Sequence, residues 1–342
     1  MGRTEWGTWS LSYKPPGYEV DENGKIVGYV NDRQPNNWGR WGDLDERGTT
    51  NFITPERIQE AKSLITDGRV ISMAIPLDAT GPVHPTRPSV QHYWGYTGSD
   101  FLAGTALSQA YPETQATDDY INMPIQGSTQ WDGLSHFAFA DSLYNGFWLG
   151  NVETISGANR CSIHHQKESL CGRGVLLDVA RHKDVERLEQ GYAIMPEELD
   201  EVAAAEGVEV REGDILIVRT GHVPWYYKLP AGAEKLKFFE GAPGISMRCV
   251  DWIHEKSIAA IAMDNVAIEV EPFEEPRNGY VGSFPVHSRL IRDLGLSLGE
   301  IWNLDPIAED CANDGRYEFF VAAQPLNLTN ASGSPLNPIA IK

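Results

Sequence analysis

Asp132 and His136 stand four residues apart in the stretch Pro-Ile-Gln-Gly-Ser-Thr-Gln-Trp-Asp-Gly-Leu-Ser-His-Phe, residues 124 to 137. A carboxylate and an imidazole this close in the chain are what a divalent metal site or an acid/base step requires. Gln126 and Gln130 add two carboxamides to the same segment, and Gly127 and Gly133 interrupt it. The composition is too polar for a buried strand and too rich in glycine for a helix, so it predicts a loop shaped around a site. Further along, His287 and Glu300 supply a second imidazole and carboxylate. Neutral histidine and ionised Asp or Glu are the ligands from which zinc and manganese sites are built, with a position left open for water in a catalytic site. Each residue taken singly also has a structural reading: a histidine packed in the interior, or an Asp-Gly turn.

Other chemistries lose their usual signatures. The chain has no Gly-x-Ser-x-Gly elbow, no phosphate-binding Gly-x-x-x-x-Gly-Lys-Ser/Thr loop and no strand-to-helix Gly-x-Gly-x-x-Gly, which sets aside the serine-hydrolase, P-loop and dinucleotide classes. A net charge of -20 over 342 residues argues against nucleic acid or an anionic membrane as a partner, since both need basic patches. No stretch approaches the ~18 apolar residues of a membrane span. The first residues, Met-Gly-Arg-Thr-Glu-Trp, lack the charged-then-apolar pattern of a secretory signal. The expectation is a soluble, cytoplasmic protein. Cysteines 161, 171, 249 and 311 show no Cys-x-x-Cys spacing and read as reduced thiols.

The elements that must position these residues follow an α/β rhythm. Residues 1-50, rich in Trp, Gly, Asn and Pro, read as an irregular N-terminal arm. Residues 51-342 read as one catalytic domain. Within the arm, Trp38 and Trp41 are candidates for a pocket wall, the alternative being aromatic packing of the arm onto the body or onto a neighbouring subunit. Thr54 and Pro55 open a helix that runs toward Gly68. A strand over 70 to 77 leads to His84, which sits between Pro82 and Pro85 and either faces the site or lies exposed. Residues 86 to 123 are expected to be irregular and to form a lid. Apolar runs at 175 to 179, 214 to 221 and 258 to 264 read as buried strands, separated by helices opened by Pro196 and capped by Ser246. A short helix starts at Pro285. Late strands are expected at 317 to 323 and 325 to 328, with a turn at Gly333-Ser334-Pro335 before the terminal Ile339-Ala340-Ile341.

The segment from Gln126 to His136 resembles the signature of the metal-dependent cyclase family, which includes bacterial kynurenine formamidases, isatin hydrolases and trans-dienelactone hydrolases. That signature reads His-x-Gly-Thr-His-x-Asp-x-Pro-x-His, against Gln126-Gly127-Ser128-Thr129-Gln130-Trp131-Asp132-Gly133-Leu134-Ser135-His136 here. Arg173-Gly174-Val175-Leu176-Leu177-Asp178, the run from Gly213 to Gly221, Pro285-Val286-His287 and Gly333-Ser334-Pro335 look like further family landmarks in family order. The resemblance covers roughly residues 65 to 342, and several ordered motifs are more specific than one.

It implies a swivelling β/β/α fold and assembly as a homodimer or homotetramer. It implies that Asp132, His287 and Glu300 bind metal and that His136 donates and accepts the proton. Glu300 is placed by matching Glu300 and Leu304 to a family Glu-x-x-x-Leu. Gln126 and Gln130 fall where the family has two ligating histidines. A carboxamide is a weak, neutral oxygen ligand, so the expectation is one ion per chain, manganese or zinc, rather than two. His84 stands where relatives carry an aromatic against the substrate, and Trp131 joins it as a candidate pocket residue. The implied activity is hydrolysis of a small, ring-bearing cyclic or aryl amide or a lactone, with metal-bound water as nucleophile and His136 as general acid/base. Alternatives are a lyase, dehydratase or cyclase that uses His136 for proton transfer, and a metal-free, non-catalytic homologue.

Overall fold

The computed structural model describes residues 17–274 and 284–342. Its framework is a mixed α/β sheet whose central strands are apolar on both faces. The strands that frame the site are, in chain order, β1 (Val70–Ser72), β2 (Gln91–Tyr96), β3 (Asp118–Asn122), β4 (Gln130–Asp132), β5 (Cys171–Asp178), β6 (Ile215–Arg219), β7 (Ala260–Met263), β8 (Ser297–Glu300), β9 (Glu318–Ala322), β10 (Gly333–Pro335) and β11 (Ile339–Ile341). Nine of them form one curled sheet in the order β1-β11-β9-β5-β6-β7-β8-β4-β10. The centre from β5 to β8 is parallel, and both flanks are antiparallel.

Period-two alternation explains the two cores. In β6, Leu216 and Val218 join a core that includes Leu199, Val202, Val250, Ile253 and Leu290. Ile215 and Ile217 face the other way, toward Ile307, Cys311, Phe319 and Trp302. Helices therefore cover both faces. On the first lie α1 (Pro196–Glu206), α2 (Cys249–Glu255) and α3 (Pro285–His287), the last running into a π-helical segment, Ser288–Leu294; on the second lies α4 (Asp305–Asp314). Burying a Leu, Ile or Val side chain contributes about 1.5–3 kcal/mol, and a strand buried on both faces collects this from every residue. That is why the central runs are continuously apolar rather than alternating.

Several expectations change. The segment read as a loop from 124 to 137 contains β4, whose three residues are all buried. Its polar side chains are tolerated there because they face other polar groups of the site. Gly333-Ser334-Pro335 is not a turn but β10, paired with β4. A Cβ on Gly333 would lie 2.5 Å from the Trp131 carbonyl, so this close pairing requires glycine, and Pro335 is acceptable because β10 is an edge strand. Residues 86 to 123 are not wholly irregular: β2 and β3 pair as an exposed antiparallel ladder, joined through two short helices. No strand forms at 325 to 328, where the Leu326 amide donates to Ser334 Oγ instead of to a ladder. β1 stops at Ser72, and α2 begins at Cys249 rather than beside Ser246.

The described part of the arm packs on the body. Asn37 Nδ2 donates to the Leu294 carbonyl, and Arg289 donates to the Gln34 carbonyl. The four cysteines are free thiols. Among the described residues no helix is long and apolar enough to cross a membrane.

Candidate metal centre

In the antiparallel pairing of β4 with β8, Glu300 lies opposite Gln130 and Leu298 opposite Asp132. Alternation then puts Gln130, Asp132 and Glu300 on one face and Trp131 on the other. The face they share is the one covered by α3. Pro285 at the first position fixes the start of that helix, and two residues later His287 reaches the carboxylates. Ligand atoms of Asp132, His287 and Glu300 all lie within 4.8 Å of one another, and all three residues are buried.

His287 is held from both sides. Its Nδ1 donates to Glu269 Oε1 at 2.6 Å, and its Nε2 lies 3.0 Å from Glu300 Oε1. Glu269 also accepts the backbone amides of Val286 and His287. Glu300 receives a further bond, 2.9 Å, from Gln130 Nε2. Burial by itself would lower the His287 pKa, but the hydrogen bonds to Glu269 and Glu300 outweigh it and push it up to about 10. Burial, with the Asp132 charge adding to it, pushes Glu300 up to about 7.

The donor set fits a divalent cation. Both carboxylate oxygens of Asp132, and Gln130 Oε1, are buried with no hydrogen-bond partner among the described residues. A buried carboxylate left in that state is costly, and a cation between Asp132, His287 and Glu300 would satisfy it. Two carboxylates and an imidazole match manganese or zinc.

His136 stands at the edge of this cluster, its Nε2 3.7 Å from Asp132 Oδ2. That is beyond a hydrogen bond, so the imidazole is available to a ligand. Burial lowers its pKa, partly offset by the Asp132 charge, and so favours the neutral ring. His136, His287 and Glu300 open onto a cavity of about 330 Å³, the size of a small-molecule site. Its walls include His84, Arg87, Phe137, Phe239 and Phe284. His84 is at the mouth, its ring edge-on to Phe239 at 5.7 Å.

Three residues flanking the cluster hold left-handed backbone: Ile268 (φ 56°), Phe284 (φ 58°) and Ile301 (φ 56°). They neighbour Glu269, Pro285 and Glu300. For β-branched or aromatic side chains this conformation costs roughly 1–3 kcal/mol each, and such strain gathers at functional sites.

Four candidates lie elsewhere. Gln126 donates its Nε2 to Ser332 Oγ at 3.3 Å rather than to a carboxylate of the cluster. Trp131 does not wall the cavity: it is buried in the opposite core, edge-on to Trp302, with its Nε1 donating to the Ala323 carbonyl. Trp38 donates its Nε1 to the Arg292 carbonyl, and Trp41 packs edge-on to Phe52. Both are arm-to-body contacts. Sequence reasoning missed Glu269 and Arg87. A carboxylate inside the apolar run Val266-Ala267-Ile268-Glu269-Val270 was the available sign of the first. Arg87 gave none beyond its place between Thr86 and Pro88.

A curled mixed sheet carrying a buried carboxylate–imidazole cluster under a short helix has the donor set and architecture of a metal-dependent enzyme. The chain belongs to the putative cyclase family, whose model matches residues 71–270. A crystal structure of a novel cyclase is 45% identical, with a TM-score of 0.83, over 90% of this chain and 99% of that one. Isatin hydrolase A from Labrenzia aggregata, bound to benzyl benzoate, is 18% identical with a TM-score of 0.55, covering 80% of this chain and 93% of its own. Isatin hydrolase A from Ralstonia solanacearum is 16% identical with a TM-score of 0.54, over 84% and 97%. The two isatin hydrolases share the fold. Comparison with curated proteins finds no match.

Proposed function

We propose that the protein is a metal-dependent hydrolase of a small, ring-bearing amide or lactone. The observation that carries this reading is the convergence of Asp132, His287 and Glu300 within 4.8 Å, with both Asp132 oxygens lacking a donor among the described residues and His136 beside them. Asp132, His287 and Glu300 would hold one manganese or zinc ion, which when bound lowers the pKa of its water and polarises a carbonyl. Phe137, Phe239 and Phe284 receive the ring and exclude bulk water. His136 Nε2 takes the proton from the attacking water and returns it to the leaving nitrogen or oxygen. Gln130 fixes Glu300 through Nε2.

Elemental analysis, with activity against N-formyl aryl amides, isatin and lactones before and after chelation, tests the reading. One ion per chain and chelator-sensitive incorporation of labelled oxygen from water support it. Reconstituted protein that binds no metal, or turns over without taking up the label, overturns it. The second outcome would favour ring closure or elimination, a reading encouraged by the 45% identity to a novel cyclase.

A further inference from the structure

We propose that Arg87 is the specificity-determining residue of this cavity and that it selects ring-bearing substrates carrying a carboxylate away from the scissile bond. The proposal rests on the hydrolase reading for the choice of a small ring-bearing ligand and adds the chemical class.

Arg87 is built into the cavity wall rather than trailing into solvent. Its backbone amide donates to the His84 carbonyl at 2.8 Å, closing a turn over residues 84–87 that contains Pro85 and is followed by Pro88, both of which restrict the backbone. Within that turn His84 Nδ1 pairs with Thr86 Oγ1 at 2.8 Å. The half-buried guanidinium is then oriented by one bond, from Nη1 to the Gln126 carbonyl at 2.7 Å. This carbonyl leads directly into the segment carrying Asp132 and His136.

The rest of the guanidinium fork is unassigned by the protein. An arginine offers five N–H donors, and among the described residues Arg87 makes one hydrogen bond and no ion pair. This is uncommon here: the chain has 48 acidic against 28 basic residues, and among the partly buried arginines of the described residues Arg47 likewise makes no ion pair, donating to Ser169 Oγ, whereas others are paired with carboxylates. Arg173 pairs with Asp214, Arg219 with Asp178 and Arg292 with Asp293. With a cation held by Asp132, His287 and Glu300, those carboxylates do not need Arg87 for neutralisation. Its fork is then left facing a cavity whose wall away from the metal ligands is mainly Phe137, Phe239, Phe284 and Val266, with the Glu271 carboxylate also lining it and making no ion pair with Arg87 among the described residues. An aromatic slot with one pinned guanidinium at its wall is a recognition site for a ring bearing a planar anion, and carboxylate is the anion whose geometry matches the fork.

The test is calorimetric titration, in the presence of manganese, with phthalate, isophthalate and terephthalate against their monoamides. Each ligand offers one carboxylate to the metal cluster. The second substituent, charged or neutral, reads Arg87, and the three isomers sample its spacing. At least one diacid should bind roughly tenfold or more tightly than its monoamide. Arg87→Met should abolish that preference, and Arg87→Lys should retain part of it. Equal affinities in the wild-type protein, a preference that survives in Arg87→Met, or no binding of any of the ligands would each overturn the proposal. The wild-type comparison does not depend on a variant folding. A diacid preference in a protein that hydrolyses none of the amide and lactone panel would uphold the Arg87 assignment while overturning the hydrolase reading.

Discussion

Glu269 Oε1 sits 2.6 Å from Nδ1 of His287, and the same carboxylate accepts the backbone amides of Val286 and His287. One side chain therefore fixes both the start of the helix that delivers His287 and the tautomer of its ring. With Nδ1 committed as a donor, Nε2 is the nitrogen presented to Glu300 and Asp132. Partners of this kind orient a ligating imidazole and raise its basicity. Glu269→Gln keeps an acceptor but removes the charge, and it should weaken manganese or zinc binding by about 10- to 100-fold with little change in the metal-free fold. Competition titration against a chelator measures it, and unchanged affinity would show that Glu269 has only a structural role.

His136 and Asp132 separate catalysis from metal retention. His136 is 3.7 Å from Asp132 Oδ2 and outside the ligand cluster, so His136→Ala should leave metal content unchanged. Its turnover should fall by about 10² to 10⁴, the usual contribution of a positioned acid/base. Asp132→Ala should lose metal and activity together. Elemental analysis alongside initial rates distinguishes the two, and a fully active His136→Ala enzyme would remove His136 from the mechanism.

The sequence revealed the residues of this site better than their orientation. Asp132, His136, His287 and Glu300 were chosen from residue type and family order, and the fold brings them to one place. Trp131 was misplaced because its segment was read as a loop. Once it is a strand, alternation sends Gln130 and Asp132 to one face and Trp131 to the other. The strand was hidden by its polarity, which is stable only against the groups across it in β8 and α3, and those lie more than 150 residues away in the chain. Glu269 was overlooked for a related reason. Its apolar neighbours Val266, Ala267, Ile268 and Val270 signal burial, but nothing local names the histidine 18 residues further along that it orients. The central strands needed no such context, since continuous apolar runs such as Ile215-Leu216-Ile217-Val218 specify burial on both faces by themselves.

His222 gives the fold an acid-sensitive point away from the site. Its ring is buried and stacked on Phe238 at 4.4 Å, with Nε2 against the Phe238 carbonyl. Burial, only partly opposed by that hydrogen bond, depresses its pKa to about 4 from the ordinary 6.5. The unfolded chain takes up the proton below pH 6.5, whereas the folded chain resists it until about pH 4. The stabilising contribution is thus complete above pH 6.5 and is lost as pH falls toward 4, at most about 3 kcal/mol. Thermal melting at pH 7 and pH 5 should show a drop that is reduced in His222→Gln. That variant can still donate to the Phe238 carbonyl but cannot titrate. Equal drops in the two proteins would assign the acid sensitivity elsewhere.

Gln130 and Gln126 stand at equivalent-looking places in the sequence, yet the structure gives them different weight. Gln130 Nε2 donates to Glu300 Oε2 at 2.9 Å, and its buried Oε1 has no partner among the described residues. Gln126 Nε2 instead donates to Ser332 Oγ. An imidazole at position 130 would face the cluster and supply the borderline nitrogen ligand that favours zinc over manganese. Gln130→His should therefore raise zinc affinity by roughly tenfold or more while changing manganese binding far less. Gln126→His should leave the zinc-to-manganese ratio close to wild type. Parallel competition titrations of the three proteins with both metals decide the matter. A shift of equal size in the two variants would mean that Gln126 turns into the site when metal is present, and no shift in either would place the ion away from β4.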